Sequence, residues 1–210
     1  MTLLEPGVAL SDFALALECA VFAALIHTHG GHGNPLRLWF SVFLTALGIA
    51  ALMGGISHGF IANQRSIIYN LIWITTLLAI GIAAWSGWAI GARLILSNKA
   101  AYWMMGAATL VLAIYVLVII FVTRDFAVAI IHYLPAAVFL FIAFAVAYRR
   151  TRQQHLRMAL YAIALMFIAV GVQQAKISLH KQYFDHNALY HLIQGVAVFL
   201  LYWSIRRLIY

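Results

Sequence analysis

Seven long apolar runs divide this sequence. Each is close to the ~20 residues that an α-helix needs to cross about 30 Å of hydrocarbon. They fall at 8–28, 37–61, 67–95, 101–122, 127–148, 156–178 and 187–206. Because a lipid-embedded backbone must satisfy its own hydrogen bonds, the runs predict an all-α, integral membrane bundle of seven transmembrane helices. Short polar connections separate them, such as Asn63-Gln64-Arg65, Ser97-Asn98-Lys99 and Thr123-Arg124-Asp125. These leave no room for a soluble domain, so residues 1–210 read as a single seven-helix unit. The composition agrees, with 66% hydrophobic and 9% charged residues, against about 25% charged in soluble chains. The opening Met1-Thr-Leu-Leu-Glu-Pro lacks the basic region of a secretory signal, so the first run is expected to persist as a helix. A single cysteine, Cys19, excludes an intramolecular disulfide and a thiolate metal cluster.

The net charge of +8 does not point to nucleic acid, because the basic residues stand between apolar runs and form no solvated patch. They encode topology instead. Arg37, Arg93, Lys99, Arg149, Arg150, Arg152, Arg157, Arg206 and Arg207 fall on one side, against Arg65, Arg124, Lys176 and Lys181 on the other. This asymmetry predicts an amino terminus outside and a carboxyl terminus in the cytoplasm. The expected location is a bacterial inner (plasma) membrane, with membrane lipid as the surrounding partner.

An ionisable side chain inside hydrocarbon costs several kcal/mol on most scales, about 2.5–3.5 kcal/mol on insertion scales, so those that remain are candidates for function. In the predicted orientation they gather in the outer half. The first helix carries Asp12 and Glu18, the second ends in Gly54-Gly55-Ile56-Ser57-His58-Gly59-Phe60, and the third begins with Asn70 and Trp73. The fifth brings Asp125 and His132, the sixth ends near Gln173, Gln174 and Lys176, and the seventh opens with Asp185 and His186. On that last helix Asn187, His191 and Gln194, spaced four and three apart, form one stripe, whereas His186 points elsewhere. Imidazoles from separate helices at one depth, beside a carboxylate, suit a catalytic zinc site with an open position for water. His58 and His191 are the leading ligands, with His132 or His186 as a third. Asp12, Glu18 or Asp185 would act as base or orienter, and Ser57 would polarise a carbonyl or hold water. Asn187, Gln194, Asn70 and Trp73 would line the ligand space. Interfacial hydrogen bonding accounts equally for any one of these histidines alone. The tract His27-Thr28-His29-Gly30-Gly31-His32 resembles a metal-binding run, but it lies on the opposite side. Gly54-Gly55 reads as a close helix approach.

The pattern resembles the superfamily of seven-helix membrane hydrolases that includes alkaline ceramidases and the progestin and adiponectin receptor family. The match rests on the helix count, on His58 late in the second helix and on His191 in the seventh. The resemblance implies zinc and cleavage of a lipid amide or ester bond. The chain departs from it at Asn187, where the family has the first histidine of a pair, at Gly54, where it has a serine, and in a third helix without aspartate. It is more similar to a bacterial branch with Gly-Gly-x-x-His-Gly-Phe and Asn-x-x-Tyr-His-x-x-Gln signatures, which implies no particular activity. A retinal protein is excluded because the seventh helix has no lysine. The functional expectation is therefore a zinc-dependent lipid hydrolase. The alternative is a non-enzymatic protein that binds a small molecule or lipid in the same outer pocket, or a subunit of a membrane complex. Bis-histidine haem ligation among His58, His132 and His191 is a third reading.

Overall fold

The computed structural model describes residues 3–29, 31, 33–180 and 183–209. Gly30 and His32 of the histidine-rich tract, and Lys181 of the charge count, lie outside the described residues. Seven helices follow one another as α1 (Pro6–His29), α2 (Pro35–Phe60), α3 (Ile67–Ile95), α4 (Asn98–Phe121), α5 (Phe126–Thr151), α6 (Gln154–Gln174) and α7 (His186–Ile209). All seven are long and apolar enough to cross a membrane. The protein is thus an all-α, seven-helix membrane bundle.

Local chemistry sets the helix starts. Asn34 accepts from the Leu36 amide ahead of Pro35, Ser66 from the Tyr69 amide, Ser97 from the Ala100 amide and Asp125 from the Ala127 amide. Each such cap satisfies one amide that has no partner within its own helix. The sixth helix ends at Gln174, earlier than the apolar run to 178 predicts. There Lys176 takes a positive φ of 53°, and the chain folds back through a short antiparallel contact between His180 and Phe184 before α7.

Chain order is not spatial order. Packing runs α1 against α2, α2 against α3, α3 against α5, α5 against α6, α6 against α7, and α7 back against α1. Six helices therefore close a ring, and α4 packs on the outside of α3. That position explains why α4 buries only Ala101, Ala108, Tyr115 and Ile119. One end of the ring is filled by large apolar side chains, among them Phe40, Phe43, Leu44, Phe144, Leu201 and Ile205. At the other end the lumen widens.

Small residues bring α1 and α2 together. Ala9, Ala16, Cys19 and Ala23 are buried on α1, and Gly48, Ala51, Gly54 and Gly55 on α2. In lipid, where apolar association between helices has no hydrophobic drive, such close backbone approach supplies the packing.

A polar chamber at one end of the bundle

The widened end of the ring encloses a chamber of about 280 Å³. Its walls come from α1, α2, α3, α5, α6 and α7, with Leu47, Ile80 and Val198 deepest. These three lie about 18–20 Å along their helices from the chamber end at 1.5 Å per residue, so the cavity reaches about the middle of the span. The hydrogen-bonding groups stand nearer the mouth.

Among the described residues Asp12 is the chamber's only carboxylate. Its side chain is 2% exposed, and Oδ1 lies 3.1 Å from His191 Nε2. The other ring nitrogen of His191 lies 3.4 Å from Ser11 Oγ, which itself donates to the Val8 carbonyl. Asp12 Oδ2 is buried and has no hydrogen-bond partner among the described residues. A buried polar atom left in this way is rare enough to need an explanation. Room for the carboxylate comes from Gly54, since a Cβ there would sit 3.1 and 3.2 Å from the two carboxylate oxygens. Gly54 thus does more than bring two helices together. It makes the recess that holds an acid.

At the mouth, His58 Nδ1 pairs with Glu5 Oε2 at 2.9 Å. The same segment is tied down by the backbone, with the Glu5 amide donating to the His58 carbonyl and the Leu4 amide to the Gly59 carbonyl. Across the chamber Gln173 donates to Asn187 at 3.1 Å, linking α6 to α7, and Gln194 donates to the Tyr190 hydroxyl at 3.1 Å. Trp73 lines the cavity and donates its indole N–H to the Arg124 carbonyl. The Arg124 side chain in turn donates to Asn70, which braces α3 against the α4–α5 connection.

A family of unknown function, DUF6962, matches residues 8–210. The chain belongs to that family. No curated protein and no solved structure matches it.

Of the residues singled out in the sequence of this DUF6962 member, Asp12, His58, Trp73, Asn187, His191 and Gln194 line the chamber. The stripe on α7 therefore faces inward as helical spacing predicts. The others do different work. Asp185 Oδ1 accepts from the Ala188 amide and caps α7, beside His186 at its first turn. Ser57 is buried outside the chamber wall. Glu18, half-buried, faces α7 at Gly195, where a Cβ would lie 3.1 Å from Oε2. His132 lies on α5 against the Tyr115 ring of α4, away from the lumen. As arranged, His58 and His191 do not complete a three-ligand set: among the described residues no group of three His, Cys, Asp or Glu side chains is placed to hold a metal ion. Sequence reasoning passed over Glu5, Ser11, Tyr133 and Tyr190. The signal for Tyr190 was its place beside His191 in the Asn-x-x-Tyr-His-x-x-Gln pattern.

A side pocket of about 80 Å³ adjoins the chamber at Tyr133, Gln173, Tyr190 and Gln194. It runs between α5 and α6 along Leu134, Ala137 and Phe167.

Proposed function

We propose that this protein binds a small molecule, or the polar head of a lipid, in the chamber, and that binding does not require a metal. One observation carries the reading: a buried carboxylate on the wall of a cavity keeps one oxygen without a partner among the described residues. A purely structural acid would be expected to spend both oxygens on protein donors. Fixed amide and hydroxyl groups of Asn187, Gln194, Tyr190 and Thr76 surround the same space, and such a mix of apolar wall and few polar groups is typical of ligand sites. The apolar side pocket suits the start of an acyl chain. The direct test is native mass spectrometry of protein purified in mild detergent. A co-purifying small molecule or lipid is expected, and Ala50→Phe, which fills the chamber from α2, is expected to remove it. Retention of the same ligand by a folded Ala50→Phe protein rules the site out.

A metal-dependent lipid hydrolase is the second reading, favoured by His58, His191 and Asp12 lining one cavity. It requires about one zinc per chain by elemental analysis, lost in His191→Ala. Metal-free protein that keeps its fold removes it.

The Lys and Arg asymmetry favours a chamber that opens on the non-cytoplasmic face of a plasma membrane. An Asn63→Cys variant, at the chamber end, should react with an impermeant maleimide on intact cells. Native Cys19 is buried and should stay silent.

A further inference from the structure

The chamber's chemistry narrows the ligand, given that it is a binding site. The chain has 13 Lys and Arg residues, yet among the described residues none lines the cavity. Among the described residues its only acid is Asp12, held through Oδ1 by His191, with Oδ2 buried and without a protein partner. The remaining ionisable neighbours are His58, turned to Glu5 at the mouth, and the phenols Tyr133 and Tyr190. Four aromatic rings, of Trp73, Phe126, Tyr133 and Tyr190, share this wall with the acid. An anion would meet a carboxylate and aromatic rings here and gain no Lys or Arg partner among the described residues. For a bare metal ion, no group of three His, Cys, Asp or Glu side chains converges here among the described residues. An alkylated ammonium ion gains from both features, because its positive surface is attracted to ring faces and to one carboxylate while its methyl or methylene groups bury well.

We infer that the chamber binds an organic ammonium ion, with the Asp12 carboxylate as counter-charge and the aromatic side chains along its wall. The inference rests on the binding reading above and assigns its ligand class. The lining favours this class over carboxylate and phosphate monoanions. The ammonium ion has two sources, a free amine or the headgroup of a lipid such as phosphatidylcholine, which carry the same recognition chemistry.

Isothermal titration of the full chain in phosphatidylglycerol nanodiscs tests this with choline and its uncharged isostere, 3,3-dimethylbutanol. Choline is expected to bind at least about tenfold more tightly, which corresponds to about 1.4 kcal/mol for the charge. Asp12→Asn should remove that difference, and Trp73→Leu should weaken choline more than the isostere. Equal affinity of the two probes for the wild-type chain overturns the inference with no variant needed. It leaves the chamber reading intact, since a neutral molecule then occupies the site. Failure of both probes and of tetramethylammonium to bind also overturns it, while the Ala50→Phe experiment still decides whether the chamber holds anything. Repeating the titration in phosphatidylcholine nanodiscs separates the sources. Weakened choline binding there supports the inference with the lipid headgroup as ligand, and unchanged binding supports it with a free ion.

Discussion

Two histidines lie inside the bundle, and their surroundings differ. His191 on α7 has a partner at each ring nitrogen, Ser11 on one side and Asp12 on the other, all at the wall of a polar chamber. His132 on α5 lies nearly flat on the Tyr115 ring, with centroids 4.2 Å apart and planes inclined at 14°, and its Nε2 has no partner. The Tyr115 hydroxyl turns away to donate to the Leu77 carbonyl. Around His132 the neighbours are those of the lipid boundary, including Val111, Ile114 and Ile131, all exposed. A membrane fold thus accommodates an imidazole in two ways. One assembles polar side chains from other helices, and the other lays the ring on an aromatic face and bonds the Gly81 backbone. Only the first leaves a second polar group, Asp12, facing a cavity.

The largest expected contrast is in stability. His191→Ala strips a buried carboxylate of its partner and should cost about 3 kcal/mol by reversible unfolding in detergent, as for other buried pairs that lose one member. His132→Phe keeps the stacking and removes an unsatisfied nitrogen but loses the bond to the Gly81 backbone, so it should cost about 1 kcal/mol at most. Equal costs would break the comparison. Next in size, Asp185→Ala should lower stability by about 1 kcal/mol, the usual value of a helix cap. It should leave choline affinity unchanged, separating the capping acid from the chamber acid. Tyr115→Phe should cost about 0.6 kcal/mol, the average for hydrogen bonds between membrane helices. A larger loss would mean that the His132 side of the bundle depends on its hydrogen bond more than on packing. Smallest of all, Glu5→Gln should cost about 0–1 kcal/mol and less in high salt, because the Glu5–His58 pair is exposed.

The helices were readable because membrane spans announce themselves by length. All seven lie within a few residues of the apolar runs, with α6 the largest departure at its Gln174 end. The stripe of Asn187, His191 and Gln194 was readable for a similar reason, since helical spacing fixes which residues of one helix share a face. Partners on different helices were not. Asp12 meets His191 because the ring closes α7 onto α1, and nothing in either segment names the other. His132 stands at a suitable depth for the chamber, but depth leaves rotation free, and α5 turns that residue toward α4. The position of α4 outside the ring follows from packing that no single-helix pattern records. Gly54 was legible as small and not as the recess for a carboxylate, because the side chain that it accommodates comes from another helix.

The two glycines that face the acids of α1 have a consequence for assembly. Asp12 fits against Gly54 of α2, and Glu18 against Gly195 of α7. Six residues separate the acids, roughly 9 Å of rise and 120° of turn apart. Two keys at different heights and different bearings, each with its own slot in a different neighbour, admit one docking position. Sliding α1 by a turn, or rotating it by one residue, drives a carboxylate against a methyl or an aliphatic chain. The acids that make this helix costly to bury are thereby also its index marks, setting the height and bearing of α1 before any ligand enters the chamber.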